Sequence, residues 1–252
     1  MRFLPAFLLT AAIAYAHGTE QGEADGSGIV LTSFIILLVL IGISYTGKEH
    51  IKEKGKIIIF SLIVLLVIAT TAYIAAGTVL KNIESATGGP VHWHADFEIW
   101  TCGEKVDIED PMGFENRVGT PVFHEHGDDR IHVEGTLRQL NEASLHEFFE
   151  VIGGALEAGR IAVATNDGVE EFVNGQACNG NPAKVQVFLY KTEGETYAQQ
   201  KLEDFENYVI SPYPNVPPGD CIIIEFSEEK EETDRMCASY RIAEQNGEIS
   251  EG

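Results

Sequence analysis

Two uncharged apolar runs, residues 28–45 and 57–76, constrain this chain more than any other feature. Each is long enough to cross the hydrocarbon of a bilayer. There every backbone N–H and C=O must be satisfied within the segment, so each run predicts a transmembrane helix. Between them, residues 47–56 carry Lys48, Lys52, Lys54 and Lys56. A short loop rich in lysine stays on the cytoplasmic side, which directs both flanks of the pair away from the cytoplasm. The first sixteen residues read as a secretory signal: Arg2, an apolar stretch over 3–13, and the small-x-small end Ala14-Tyr15-Ala16. Signal, spans and loop agree on one topology, a two-pass cell-membrane protein whose C-terminal part lies outside the cytoplasm.

The expected organisation follows. A signal peptide covers 1–16 and a short exported segment 17–27. Transmembrane helices over 28–46 and 57–76 flank a cytoplasmic basic loop over 47–56. A tether over 77–90 leads to a histidine-rich β domain over 91–154 and a β-rich C-terminal part over 155–252 with an acidic tail. The expected fold class is two N-terminal transmembrane helices plus an extracytoplasmic β-rich (α+β) domain with one clear helix.

Charge narrows the partners. Five of the 17 basic and five of the 39 acidic side chains precede residue 77, so the outer part carries the whole net charge of −22. Such a surface repels nucleic acid and anionic headgroups, and it attracts cations. The bilayer and a metal ion are the expected partners; the sequence names no protein partner. All four cysteines, Cys102, Cys178, Cys221 and Cys237, fall in the exported part. An even number in an oxidising compartment predicts two disulfides, with three pairings open. None lies in a Cys-x-x-Cys pattern, which argues against a zinc ribbon or a thioredoxin-like pair.

The outer part reads mostly as strand. Residues 91–100 alternate, with Trp93, Ala95, Phe97 and Ile99 on one face and His92, His94, Asp96 and Glu98 on the other. A turn at Cys102-Gly103-Glu104 predicts a hairpin with 105–108. Residues 122–126 and 130–134 predict two more strands around Gly127-Asp128-Asp129. A three-residue loop there pairs His124 with His132 and His126 with Arg130, leaving all three histidines on one face; a two-residue loop would scatter them. Residues 160–165, 169–173, 185–190 and 221–226 are further strands, and Pro212, Pro214, Pro217 and Pro218 hold open the connection between the last two. One helix is signalled after Ser144, an N-cap, with an apolar stripe of Leu145, Phe148, Phe149 and Ile152 and a stop at Gly153-Gly154.

Five of the eight histidines lie within 41 residues: His92, His94, His124, His126 and His132. His-x-His on a strand aims both imidazoles to one side. Two such pairs with a fifth histidine supply the donors that zinc or copper prefers, with iron or manganese also compatible. Asp96, Glu98, Glu125 and Glu134 stand close enough in sequence to act as carboxylate ligands or to hold the second ring nitrogens. Without a metal, the same cluster would titrate near neutrality as a pH sensor.

Three resemblances accompany this reading. His92-x-His94 followed by Glu98 resembles the start of a cupin metal motif, which implies His92, His94 and Glu98 as ligands with His132 as a fourth. The run from His-x-His-Ala-Asp-Phe through His-x-His and Ile-His-Val-Glu-Gly to Ser-Leu-x-x-Phe-Phe resembles a group of exported, membrane-anchored prokaryotic proteins of uncharacterised activity. It implies that these histidines act together. Tyr208-Val209-Ile210 followed by Gly219-Asp220-Cys221-Ile222 resembles the last part of a β-grasp domain.

Three functions fit. The first is a membrane-anchored extracytoplasmic protein that binds a divalent transition metal for scavenging, sensing or delivery. The second is a metal-dependent hydrolase or oxygenase with unknown catalytic residues. The third is a surface or partner-binding module with structural histidines. No nucleophile triad, P-loop or dinucleotide fingerprint is present, so the enzyme reading rests on the metal alone.

Overall fold

The structure, a computed structural model, describes residues 24–114, 116–214 and 219–252. The expected signal peptide, most of the short exported segment, and Pro217 and Pro218 lie outside these residues. The described residues divide into two compact units, one up to Leu80 and the other from Lys81 to Gly252. In the first, helix α1 spans Ala24–Thr46 and helix α2 begins at Glu53 and runs to Glu84. Both are long and apolar enough to cross a membrane, and most of their large apolar side chains are exposed. Long helices whose large apolar side chains are mostly exposed suggest association with a bilayer. Helix α2 continues through the first half of the expected tether.

The second unit is β-rich. Its strands are β1 (Val91–Thr101), β2 (Glu104–Val106), β3 (Val118–Gly119), β4 (Phe123–Glu125), β5 (Arg130–Gly135), β6 (Ala155–Glu157), β7 (Arg160–Thr165), β8 (Gly168–Val173), β9 (Ala177–Cys178), β10 (Asn181–Pro182), β11 (Lys184–Glu193), β12 (Thr196–Leu202), β13 (Asp220–Ser227) and β14 (Ser250–Glu251). The main sheet runs β14-β12-β11-β13-β1-β5-β4-β3, with β2 also on β1. It is mixed: β1 lies parallel to β13 and β12 parallel to β14, and the other pairs are antiparallel. Strands from 91–154 and from 155–252 thus share one sheet. A smaller sheet, β6-β7-β8, and the pair β9-β10 complete the unit.

Alternation along β1 sorts its side chains as expected, and each face meets a different layer. Ala95, Phe97 and Ile99 enter the larger core with Ile131, Val133, Ile222 and Ile224. Helix α3 (Leu145–Val151) closes this core with Leu145, Phe148 and Phe149, and the rings of Phe97 and Phe148 meet at 5.2 Å. Each aromatic ring fully buried here stabilises the fold by roughly 1.5–3 kcal/mol. Ser144 caps α3, its hydroxyl accepting from the Glu147 N–H.

The opposite face of the sheet is covered by a second helix that the sequence pattern did not reveal. Helix α4 (Ala238–Gln245) buries Tyr240 and Ala243 against Phe188, Tyr190 and Ile223. The acidic C-terminal stretch thus includes a packed helix, while its carboxylate side chains stay exposed. Disulfides join Cys102 to Cys178 and Cys221 to Cys237, leaving no free thiol. The second ties the start of α4 to β13. Cys102 (φ +52°) and Gly103 (φ +92°) form the turn between β1 and β2. Left-handed φ at both central positions is what a two-residue hairpin requires.

Candidate metal centre

The β4–β5 connection decides whether the histidines meet. Gly127 (φ +79°) and Asp129 (φ +57°) adopt left-handed conformations within it. Glu125 holds the turn closed, its Oε1 accepting from the N–H groups of Asp128 and Asp129. Phe123 then opposes Val133, and His124 opposes His132. On the other side of β5, His94 opposes His132 and His92 opposes Glu134. His94, His132 and His124 form a row across three neighbouring strands, all on the face turned away from the larger core. His92 and His126 stand two residues from this row, on opposite sides of it.

The rings form one continuous patch with His132 at its hub. Centroids are 4.5 Å apart for His92 and His94, 4.8 Å for His94 and His132, and 4.8 Å for His124 and His126. His126 and His132 are 4.9 Å apart, and His124 and His132 5.4 Å. Two groups bring their donor atoms within 4.8 Å of one another: His92, His94 and His132, and His124, His126 and His132. Zinc held at 2.0–2.1 Å spaces tetrahedral ligands about 3.4 Å apart, so modest side-chain rotations would close either group on an ion.

Burial disfavours charge on two of these rings. Burial pushes the His132 imidazole down to about 4, and the neighbouring His94, His124 and His126 add to the effect against the opposing pull of Asp128. Burial also lowers His124, helped by the charge of His126. Neutral imidazole is the form that binds a metal, so these two need not shed a proton from solution near neutrality. The expectation of a sensor titrating near neutrality therefore does not hold for His132.

Second ring nitrogens are partly provided for. His126 Nδ1 donates to the Asn116 carbonyl, and His92 Nε2 lies 3.0 Å from Glu134 Oε1. Such partners fix the tautomer and orientation of a ligating ring. His124 Nδ1 and both nitrogens of His132 are buried without a hydrogen-bond partner. A buried polar atom left so costs about 1–3 kcal/mol, a cost that coordination would remove. Donor chemistry and the orphaned nitrogens both fit a transition-metal ion.

Of the carboxylates named from sequence, Glu134 reaches a histidine. Asp96 accepts from Arg130 Nε at 2.7 Å and from the Ser239 hydroxyl. Glu98 accepts from Trp100 Nε1 at 3.0 Å and lies 3.4 Å from Arg241. Both share the histidine face, but successive same-face residues advance about 6.6 Å along a strand, which carries them away from the row towards α4. Neither belongs to the two histidine groups. Glu125 points to the turn, and burial raises its carboxyl, partly offset by the turn's N–H groups. Asp128 was not singled out by sequence, yet its Oδ1 lies 3.7 Å from His132 Nε2. Its Gly-Asp-Asp context reads as turn chemistry, which hides it. Asn116 contributes a main-chain oxygen, for which no side-chain signal exists. His146 stays apart on α3, where Nδ1 donates to the Leu156 carbonyl.

No protein-family model, curated protein or solved structure matches this chain.

Proposed function

We propose that this protein is a membrane-anchored, extracytoplasmic binder of a divalent transition metal, zinc or copper first, that scavenges, senses or delivers the ion. The observation that carries the proposal is the row His94–His132–His124, with His92 and His126 completing two three-histidine groups. Imidazole-only donor sets favour zinc and copper over magnesium or calcium. The four-lysine loop and the two disulfides support placement of the binding unit outside the cytoplasm.

The test is elemental analysis of the full chain purified in detergent with its disulfides intact. Wild type should retain near-stoichiometric transition metal, and His92→Ala/His124→Ala should lose it. Wild-type protein that neither retains nor takes up zinc or copper would overturn the reading. Protease digestion of the second unit from outside intact cells tests its placement.

A second reading is a metal-dependent enzyme. Three imidazoles leave a further coordination position, and the His92 side chain is 59% exposed, so solvent reaches one edge of the patch. An exchangeable water on the bound ion would favour this reading. A coordinatively closed ion would favour storage or delivery.

A further inference from the structure

The two histidine groups share a residue. His132 belongs to both, and it is flanked by His94 on β1 and His124 on β4. A histidine that ligates one ion usually gives its other nitrogen to a carbonyl or carboxylate. His126 and His92 follow that pattern through Asn116 and Glu134. His132 does not. Both its nitrogens are buried without a hydrogen-bond partner, and the Asp128 oxygen at 3.7 Å is beyond hydrogen-bond reach.

We infer that His132 bridges two metal ions, one held with His92 and His94 and the other with His124 and His126. This deepens the metal-binding reading and rests on it. A neutral imidazole carries one ring N–H. When both nitrogens ligate, that proton passes to water and the ring remains as an imidazolate between two cations, with no change of oxidation state. Glu134 beside His92 and Asp128 beside His132 supply negative charge against the two ions. Copper(II) and zinc(II) both accept this donor set.

Copper(II) is the probe, because two copper ions joined by an imidazolate couple their spins. The metal-free full chain in detergent is loaded to saturation. Bound copper is then counted by elemental analysis and unpaired spins by electron paramagnetic resonance at liquid-helium temperature. The expected result is two coppers per chain with most of the spin signal lost. His92→Ala/His94→Ala and His124→Ala/His126→Ala should each bind one copper with its full signal, which keeps the test independent of any folding defect in a His132 variant. Two coppers with undiminished signal would overturn the bridge. One copper at saturation would overturn it while leaving the metal-binding reading intact. No copper, and no zinc on repetition, would overturn both.

Discussion

The imidazoles of His124 and His132 lie parallel, with planes 4° apart and centroids 5.4 Å apart. Protonating both would set two cations face to face where burial already disfavours charge. The metal-free fold should therefore weaken in acid. His132 sits near 4 when folded against an ordinary value near 6.5, so the unfolded chain binds the extra proton. Stability is whole above about pH 6.5 and falls as pH drops towards 4, by an amount on the order of 3 kcal/mol. Thermal unfolding of metal-free protein across that window should show the fall, and His132→Asn should flatten it. Equal slopes in the two proteins would count against the burial argument.

Glu134 and Asp96 should separate binding from folding. Glu134→Gln weakens the hold on the His92 ring, so metal affinity should drop roughly 10- to 100-fold with little change in melting temperature. Asp96→Asn removes the nearer and more buried of the two anions facing Arg130, leaving Asp128 at 3.6 Å, and should destabilise the fold by about 1–3 kcal/mol. Calorimetric titration with zinc and thermal melts on both variants measure the contrast. It fails if Asp96→Asn proves the more damaging to affinity at a temperature where both remain folded.

Gly119 opposes His124 at the sheet edge with φ +105°. An added Cβ would stand 2.6 Å from the Phe123 carbonyl oxygen, a backbone atom that cannot swing aside. Gly119→Ala should therefore cost more than about 1 kcal/mol and displace β4, lowering metal affinity although no ligand is changed. Unchanged affinity and melting temperature would show that the edge relaxes freely.

Cys102–Cys178 spans 76 residues and Cys221–Cys237 spans 16. Chain-entropy reasoning gives about 4.5 and about 3 kcal/mol respectively for the two cross-links. Maleimide should label no thiol in the untreated unfolded protein and all four after reduction, and the reduced protein should melt lower. Thiols already reactive in protein isolated from cells would place the second unit in a reducing compartment.

The parts readable in advance were those governed by local periodicity. The Trp93/Ala95/Phe97 alternation, the cap at Ser144 and the turn around Gly127-Asp128-Asp129 each act over a few residues; the turn sets His124 opposite His132, although His126 falls outside β4 and the connection between the strands is residues 126–129. The parts that stayed hidden depend on distant partners. Nothing near β1 announces β13 as its parallel neighbour. Helix α4 has eight residues, no side-chain cap and acidic surroundings, and is held by Tyr240 and a disulfide. Strand β12 reads Thr-Tyr-Ala-Gln-Gln-Lys-Leu, too polar to stand out. Because α4 was not foreseen, Asp96 and Glu98 looked available to the histidines when they are committed to Arg130, Ser239, Trp100 and Arg241.

The parallel pairing of β1 with β13 has a consequence for the birth of the protein. By the time residue 135 has left the ribosome, every imidazole of the patch has been made, yet β1 lacks the strand that completes its other edge until residues 220–227 emerge. For most of its synthesis the nascent chain carries its full set of donors on an unfinished frame, and an ion captured early would find a loose, incomplete nest. Any firm capture would await β13, which emerges when nearly nine-tenths of these 252 residues have been made.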